Sequence, residues 1–98
     1  TYRPLPKQVT IKQSEIEGLG LYSTESLYPG QYLGITHVAN DRFENGYIRT
    51  PLGGFINHSD TPNCEVREDV DRSLMLFTLR QILPNEELTL KYNLYKVH

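Results

Sequence analysis

Apolar and polar residues alternate with a period of two along much of the chain, the spacing of strands with one face buried. Val9 and Ile11 alternate with Thr10 and Lys12, which predicts a strand over Val9–Gln13. A second strand, Leu19–Ser23, follows a glycine-flanked bend at Gly18. Tyr28-Pro29-Gly30-Gln31 places Pro second and Gly third, the order of a type II turn, and residues 31–38 then read as a strand. Asn45-Gly46 is a tight-turn signal. Residues 64–68 and 73–79 flank Asp69-Val70-Asp71-Arg72 as the arms of a hairpin, and residues 87–92 close the series. Only one alanine occurs, Ala39, against many Tyr, Thr, Val, Ile and Phe, so propensity agrees with the pattern. The chain reads as mostly β.

An internal echo appears when residues 21–30 are laid over residues 76–85. Leu21-Tyr22-Ser23 matches Leu76-Phe77-Thr78, and Leu27-Tyr28-Pro29 matches Ile82-Leu83-Pro84. Either a strand, bridge and turn are used twice in a pseudo-symmetric fold, or strand-to-turn segments simply share these residue types. Tyr22 and Phe77, equivalent in the echo, are expected in the core.

Composition narrows the function classes. At 98 residues, with 38% hydrophobic and 22% charged, the chain has the size and balance of one globular domain with a small core. No apolar stretch approaches the roughly 18 residues that span a bilayer, so no membrane partner is expected. A net charge of −2 without clustered Lys or Arg argues against direct binding of nucleic acid and suits a basic partner. Within residues 60–71, Asp60, Glu65, Glu68, Asp69 and Asp71 face only Arg67, which makes either a solvated turn or a docking patch for lysine-rich protein. A single cysteine, Cys64, excludes an internal disulfide and any multi-cysteine zinc site, and is compatible with a reducing intracellular compartment, cytoplasm or nucleus.

Candidate chemistry concentrates where Leu52-Gly53-Gly54-Phe55-Ile56 runs straight into Asn57-His58-Ser59-Asp60-Thr61-Pro62-Asn63. Apolar residues followed at once by polar turn formers make a buried polar loop. Asn57 and Asn63 carry donors and acceptors together, so they can pin a loop's backbone or read a ligand's ring edge. His58 beside Ser59 lacks an orienting acid for nucleophilic catalysis, and His58 with Cys64 is an equally weak thiol pair. Asn57-His58-Ser59 also fits a glycosylation acceptor, which has no use in a buried loop. Gly18-Leu19-Gly20 lacks the third glycine and the helix of a dinucleotide-binding turn.

Asn57-His58-Ser59-x-x-Pro62-Asn63 resembles the signature of the SET-domain protein lysine methyltransferases. Gly18-Leu19-Gly20-Leu21-Tyr22 resembles that family's first motif, with Pro29-Gly30 at the expected distance before a strand. Pro84-Asn85-Glu86-Glu87-Leu88-Thr89-Leu90-Lys91-Tyr92 resembles its last, which ends in the catalytic tyrosine. The three occur in the family's order. The resemblance implies one minimal SET domain over residues 1–98: a β-clip-like fold of small twisted sheets with a pseudoknot-like threading of the C-terminal segment. It implies transfer of a methyl group from S-adenosylmethionine to a lysine ε-amine on a protein substrate, leaving S-adenosylhomocysteine. Asn57 and His58 would hold the cofactor, and Gly18, Leu19 and Gly20 would let backbone approach its methionine portion. Tyr92 would be catalytic and touch the cofactor, while Tyr47 and Tyr95 would line the lysine channel. The competing expectation is a SET-fold module that binds cofactor or peptide with little or no turnover.

The sequence departs from the family pattern at several points. Residues 39–55 form a shortened insert, and Ile35-Thr36-His37-Val38 stands where many members carry a Glu-Tyr pair and a glycine. Asn85 and Asn93 replace usual glycines, and Asp60 occupies the place of a zinc-ligating cysteine. Without a cysteine-bearing tail, no zinc is expected. The cofactor face would then be closed by residues 93–98 or by a second subunit in a homodimer.

Overall fold

The period-two stretches become strands, and those strands form two four-stranded sheets. The computed structural model describes residues 5–42 and 46–91. Its strands are β1 (Val9–Gln13), β2 (Leu19–Ser23), β3 (Tyr32–Ala39), β4 (Tyr47–Arg49), β5 (Asn57–His58), β6 (Cys64–Glu68), β7 (Leu74–Thr78) and β8 (Glu87–Leu90), with one short helix, α1 (Pro51–Gly54). One sheet has the order β1-β2-β8-β5 and the other β4-β3-β7-β6. All pairs are antiparallel except β5 with β8, where Asn57 faces Thr89 and His58 faces Leu90. Both sheets feed one core: Val9, Leu21, Leu88 and Leu90 from the first, Leu33, Cys64 and Leu76 from the second, with Leu27, Leu52, Ile56 and Ile82 between. Burying each such aliphatic side chain contributes about 1.5–3 kcal/mol.

The echo is structural, and it is a pseudo-two-fold. Leu27 and Ile82 form an antiparallel bridge, each amide donating to the other's carbonyl at 2.8 and 3.0 Å. Ser23 Oγ donates to Leu83 O, and its equivalent Thr78 Oγ1 donates to Tyr28 O, both at 2.5 Å. Backbone bonds repeat in the same way: Gly30 N to Thr78 O and Asn85 N to Ser23 O, then Ser23 N to Glu86 O and Thr78 N to Gln31 O. Both turns put their third residue at positive φ, +74° for Gly30 and +69° for Asn85. Asparagine can stand where the family usually has glycine because it tolerates the left-handed region better than other side chains.

Three elements were not legible in the hydrophobic pattern. Strand β4 spans three residues and β5 two, too short to display a period. The single turn of α1 carries its signal in caps: Thr50 Oγ1 accepts from Gly53 N, and Pro51 sits at the first helical positions. Thr50 also donates its hydroxyl to Ile35 O at 2.7 Å and its amide to Thr36 O at 2.9 Å, which fastens the turn against β3. Tyr22 and Phe77 correct the expectation of core positions. Both are half-buried on outward faces, with Lys12 Nζ 4.8 Å from the Tyr22 ring centre and the Arg67 guanidinium 4.2 Å from that of Phe77. Asn45 of the expected tight turn and Tyr92 at the expected end of β8 lie outside the described residues.

Gly53 and Gly54 separate packing from propensity. A Cβ on Gly53 would sit 2.4 Å from Thr36 O, whereas one on Gly54 would meet nothing closer than Arg49 Cδ at 3.6 Å. Gly53→Ala is expected to destabilise by roughly 1–3 kcal/mol, while Gly54→Ala changes stability by no more than about 1 kcal/mol and in the favourable direction. Urea unfolding of the two variants checks this, and equal effects would contradict the docking of α1 on β3.

Candidate functional site

The motif residues meet at the end of the first sheet, where the 14–18 bend, β2, β5 and the start of β8 converge. The bend is closed by Ser14 N donating to Gly18 O at 2.7 Å, and Ser14 Oγ accepts from Ile16 N at 2.9 Å. Gly18 takes φ +49°, and nothing lies within 4 Å of where its Cβ would be. Gly20 is glycine for another reason. Its Cβ would fall 2.3 Å from Glu87 Oε2 and 3.1 Å from Asn57 Nδ2, so the side chain of Glu87 occupies the space that the missing methyl leaves.

Glu87 is the hub of this region. Its carboxylate accepts from Ser14 Oγ at 2.8 and 2.9 Å, from Tyr22 OH at 3.3 Å and from Asn57 Nδ2 at 2.9 Å. Desolvation, followed by the Glu87 charge, raises the Tyr22 phenol above its ordinary value, so Tyr22 stays a donor. Asn57 Nδ2 also donates to Glu17 O and Leu19 O, each at 3.2 Å. An atom ringed by three acceptors has to be the amide nitrogen, which fixes the side chain's orientation. One asparagine thus ties the first motif's bend to the last motif's strand.

Asn63 does the structural half of the same work. It is buried, with Nδ2 donating to Glu87 O at 2.7 Å and Oδ1 accepting from Thr89 N at 2.8 Å. Its side-chain amide thereby stands in for a strand's backbone against β8, the pinning role open to it from sequence. His58 turns its ring toward Asp60, Nε2 to Oδ1 at 3.2 Å, at a half-exposed surface. Leu19 is 50% exposed at the bend.

Gly18, Leu19, Gly20, Asn57 and His58 are therefore gathered around β2, β5 and β8. Tyr47 is not with them: it lies on β4 in the other sheet, its ring edge-on to His37 at 5.9 Å and its hydroxyl donating to Arg72 O at 2.9 Å. Tyr92 and Tyr95 lie outside the described residues. Sequence reasoning passed over Ser14 and Glu87. The available signal was Glu87 itself, a carboxylate entering a strand whose next three residues are all buried. Cys64 is buried, and loss of solvent pushes its thiol up to about 12, which removes the thiol-enzyme alternative. Among the described residues, no three metal-ligating side chains come together.

Comparison with known proteins places these features. The SET domain family model matches residues 18–93. A histone-lysine N-methyltransferase of Mycosarcoma maydis, specific for H3 lysine 36, is 35% identical over 86 residues, covering 85% of this chain and 8% of the relative. Proteins of the same name from two strains of Cryptococcus neoformans are 47% identical over 45 residues, 43% of this chain and 5% of each relative. The chain thus spans less than a tenth of the length of these curated relatives. The crystal structure of a Plasmodium falciparum protein named as a candidate histone methyltransferase matches with a TM-score of 0.71 at 20% identity. It covers 90% of this chain and 95% of that one, a likeness of fold.

Two measurements test the geometry without reference to activity. Gly20→Ala is expected to destabilise by roughly 1–3 kcal/mol, because the Glu87 carboxylate cannot swing aside without breaking its bonds to Ser14, Tyr22 and Asn57. In a Glu87→Ala background the same substitution loses most of that effect, a coupling of at least about 1 kcal/mol in a double-mutant cycle; additive effects would contradict the close approach. For Cys64, the unfolded thiol ionises above its ordinary 9.0 while the native one holds its proton to about 12. The native state then binds more protons than the unfolded one, so this contribution to stability is whole below pH 9 and declines above it, by up to about 1.4 kcal/mol per pH unit. Unfolding of wild type and Cys64→Ala at pH 8 and 10 reads the difference, and parallel declines would refute it.

Proposed function

The chain belongs to the SET-domain family, and on that premise we propose that it is an S-adenosylmethionine-dependent protein lysine N-methyltransferase. The observation that carries the reading is the Asn57 side chain, which joins the carbonyls of Glu17 and Leu19 to Glu87 at one point of the first sheet. The carbonyls of Glu17 and Leu19 and the amide oxygen of Asn57, with the Glu87 carboxylate behind them, suit the ammonium and sulfonium groups of the cofactor's methionine portion. The open space before Gly18, rather than Gly20, is where ligand could approach backbone closely. The residues present therefore fit the cofactor. Asn57, Gly18 and Leu19 would hold the methionine portion, and the backbone around His58 would read the adenine.

When bound, the cofactor supplies an activated methyl group on a good leaving group. What the protein adds is alignment of a neutral lysine amine, and positioning of that kind accounts for most of the catalysis. In this reading Tyr92 orients the polarised methyl group through weak C–H···O contacts of about 0.5–1 kcal/mol each, together with main-chain carbonyls. An apolar channel strips water from the lysine and lowers its pKa, and solvent takes the proton. The substrate is a basic protein, in keeping with the chain's net charge of −2. Because H3 lysine 36 is the target named for the relatives, histone H3 is the first substrate to try.

Transfer of radiolabelled methyl groups from the cofactor to histone H3 and to a mixture of lysine-rich proteins tests the proposal. Asn57→Ala is expected to weaken cofactor binding about tenfold or more. Tyr92→Phe is expected to cut transfer by on the order of 10²-fold while cofactor affinity changes little. Unchanged turnover in Tyr92→Phe would remove the catalytic assignment. Cofactor-dependent thermal stabilisation with no transfer to any substrate would favour the binding module instead.

A further inference from the structure

Glu87 bonds the side chain of Asn57, which would touch ligand, and its bonding is more elaborate than packing requires. Its carboxylate takes donors from three separate elements: Ser14 in the bend, Tyr22 in β2 and Asn57 in β5. The bond to Asn57 is the shortest of the three that Nδ2 makes, at 2.9 Å against 3.2 Å to each carbonyl. Ser14 Oγ, which donates to Glu87, also accepts from Ile16 N and Glu17 N, so the carboxylate and the bend are fixed through one hydroxyl. Asn57 Oδ1 takes no hydrogen bond from the described residues and is not among their buried atoms lacking a partner, so it reaches solvent.

From this arrangement we infer that Glu87 is a positioning residue: it locks the Asn57 amide with nitrogen inward, so that Oδ1 is offered as an acceptor to the donor end of the ligand. The inference rests on the cofactor reading above and adds a residue to it. Without a full carboxylate at this position, the amide could rotate and present its NH₂ group to solvent. It would then repel an ammonium group and accept nothing from it. The selectivity of the site for a ligand carrying an amine is thus set by a side chain that never touches that ligand.

The test pairs a spectroscopic signature with a two-ligand comparison, using the whole chain and the variants Glu87→Gln and Ser14→Ala. In the free protein, the Asn57 side-chain NH₂ signals are expected to be held in distinct, slowly exchanging positions by the charge-assisted bond. Both variants, Glu87→Gln most, should collapse that signature while the backbone spectrum of β2 and β8 persists. Affinity for S-adenosylhomocysteine, which carries the amino-acid end, should fall about tenfold in Glu87→Gln, whereas affinity for methylthioadenosine, which lacks it, should stay within about twofold of wild type. An unaltered Asn57 signature in Glu87→Gln overturns the inference. So does equal loss of both ligands, which is what general loosening of the fold would produce. If wild type shows the expected Asn57 signature yet binds neither compound, the cofactor reading fails and the selectivity claim falls with it, an outcome the signature tells apart from a failure of the Glu87 lock.

Discussion

A strand with buried residues and neighbours on both edges must satisfy its backbone groups on both sides, and β8 does so with three unlike partners. Strand β2 pairs it antiparallel through Leu21 with Leu88 and Tyr22 with Glu87. The two residues of β5 pair it in parallel, and where β5 ends, Ser59 N still donates to Leu90 O at 2.9 Å. The remaining need is met by the side chain of Asn63, which bonds Glu87 O and Thr89 N as a backbone would. None of these partners is local, so β8 can form only when the 57–63 loop is in place. That dependence draws Asn57 and the 14–18 bend to one end of the sheet.

The pseudo-two-fold explains how a small chain brings these distant segments together with so little sequence. The Leu27–Ile82 bridge and the paired hydroxyl bonds of Ser23 and Thr78 build the same corner twice, and the two corners brace each other. The site appears where the copies differ. Position 32 in the first copy corresponds to position 87 in the second, and each faces the other copy's outward aromatic. Tyr32 packs on Phe77 with ring centres 5.4 Å apart, a structural contact. Glu87 meets Tyr22 with a carboxylate, and that one change turns an apolar contact into a polar hub that can recruit Ser14 and Asn57. Symmetry supplied the scaffold, and its local breaking supplied the chemistry.

The two glycines of the first motif show how one letter can stand for different physics. Both read alike in the sequence, as backbone cleared for a ligand. In the fold, Gly18 bends the chain at positive φ before open space, while Gly20 makes room for the Glu87 carboxylate. Tyr47, whose place shortly before Asn57 in sequence suggested a channel wall, lies on β4 in the second sheet with its ring against His37. Burial lowers the basicity of that histidine, with the Arg49 charge adding to it, so this contact joins a neutral ring to an aromatic one.

By itself the sequence determined the longer strands β1, β2, β3, β6, β7 and β8, the turns at Pro29-Gly30 and Pro84-Asn85, and the three motifs that mark the family. Each of these rests on local forces: a period of two, a fixed proline φ, a residue tolerant of positive φ. The reality of the echo, the short strands β4 and β5, and the meeting of Asn57 with Glu87 were decided only by the tertiary structure. Strand β4 is too short to show a period, the other features depend on contacts between residues 30 or more positions apart, and no local pattern encodes which distant carboxylate will fill the space beside a glycine.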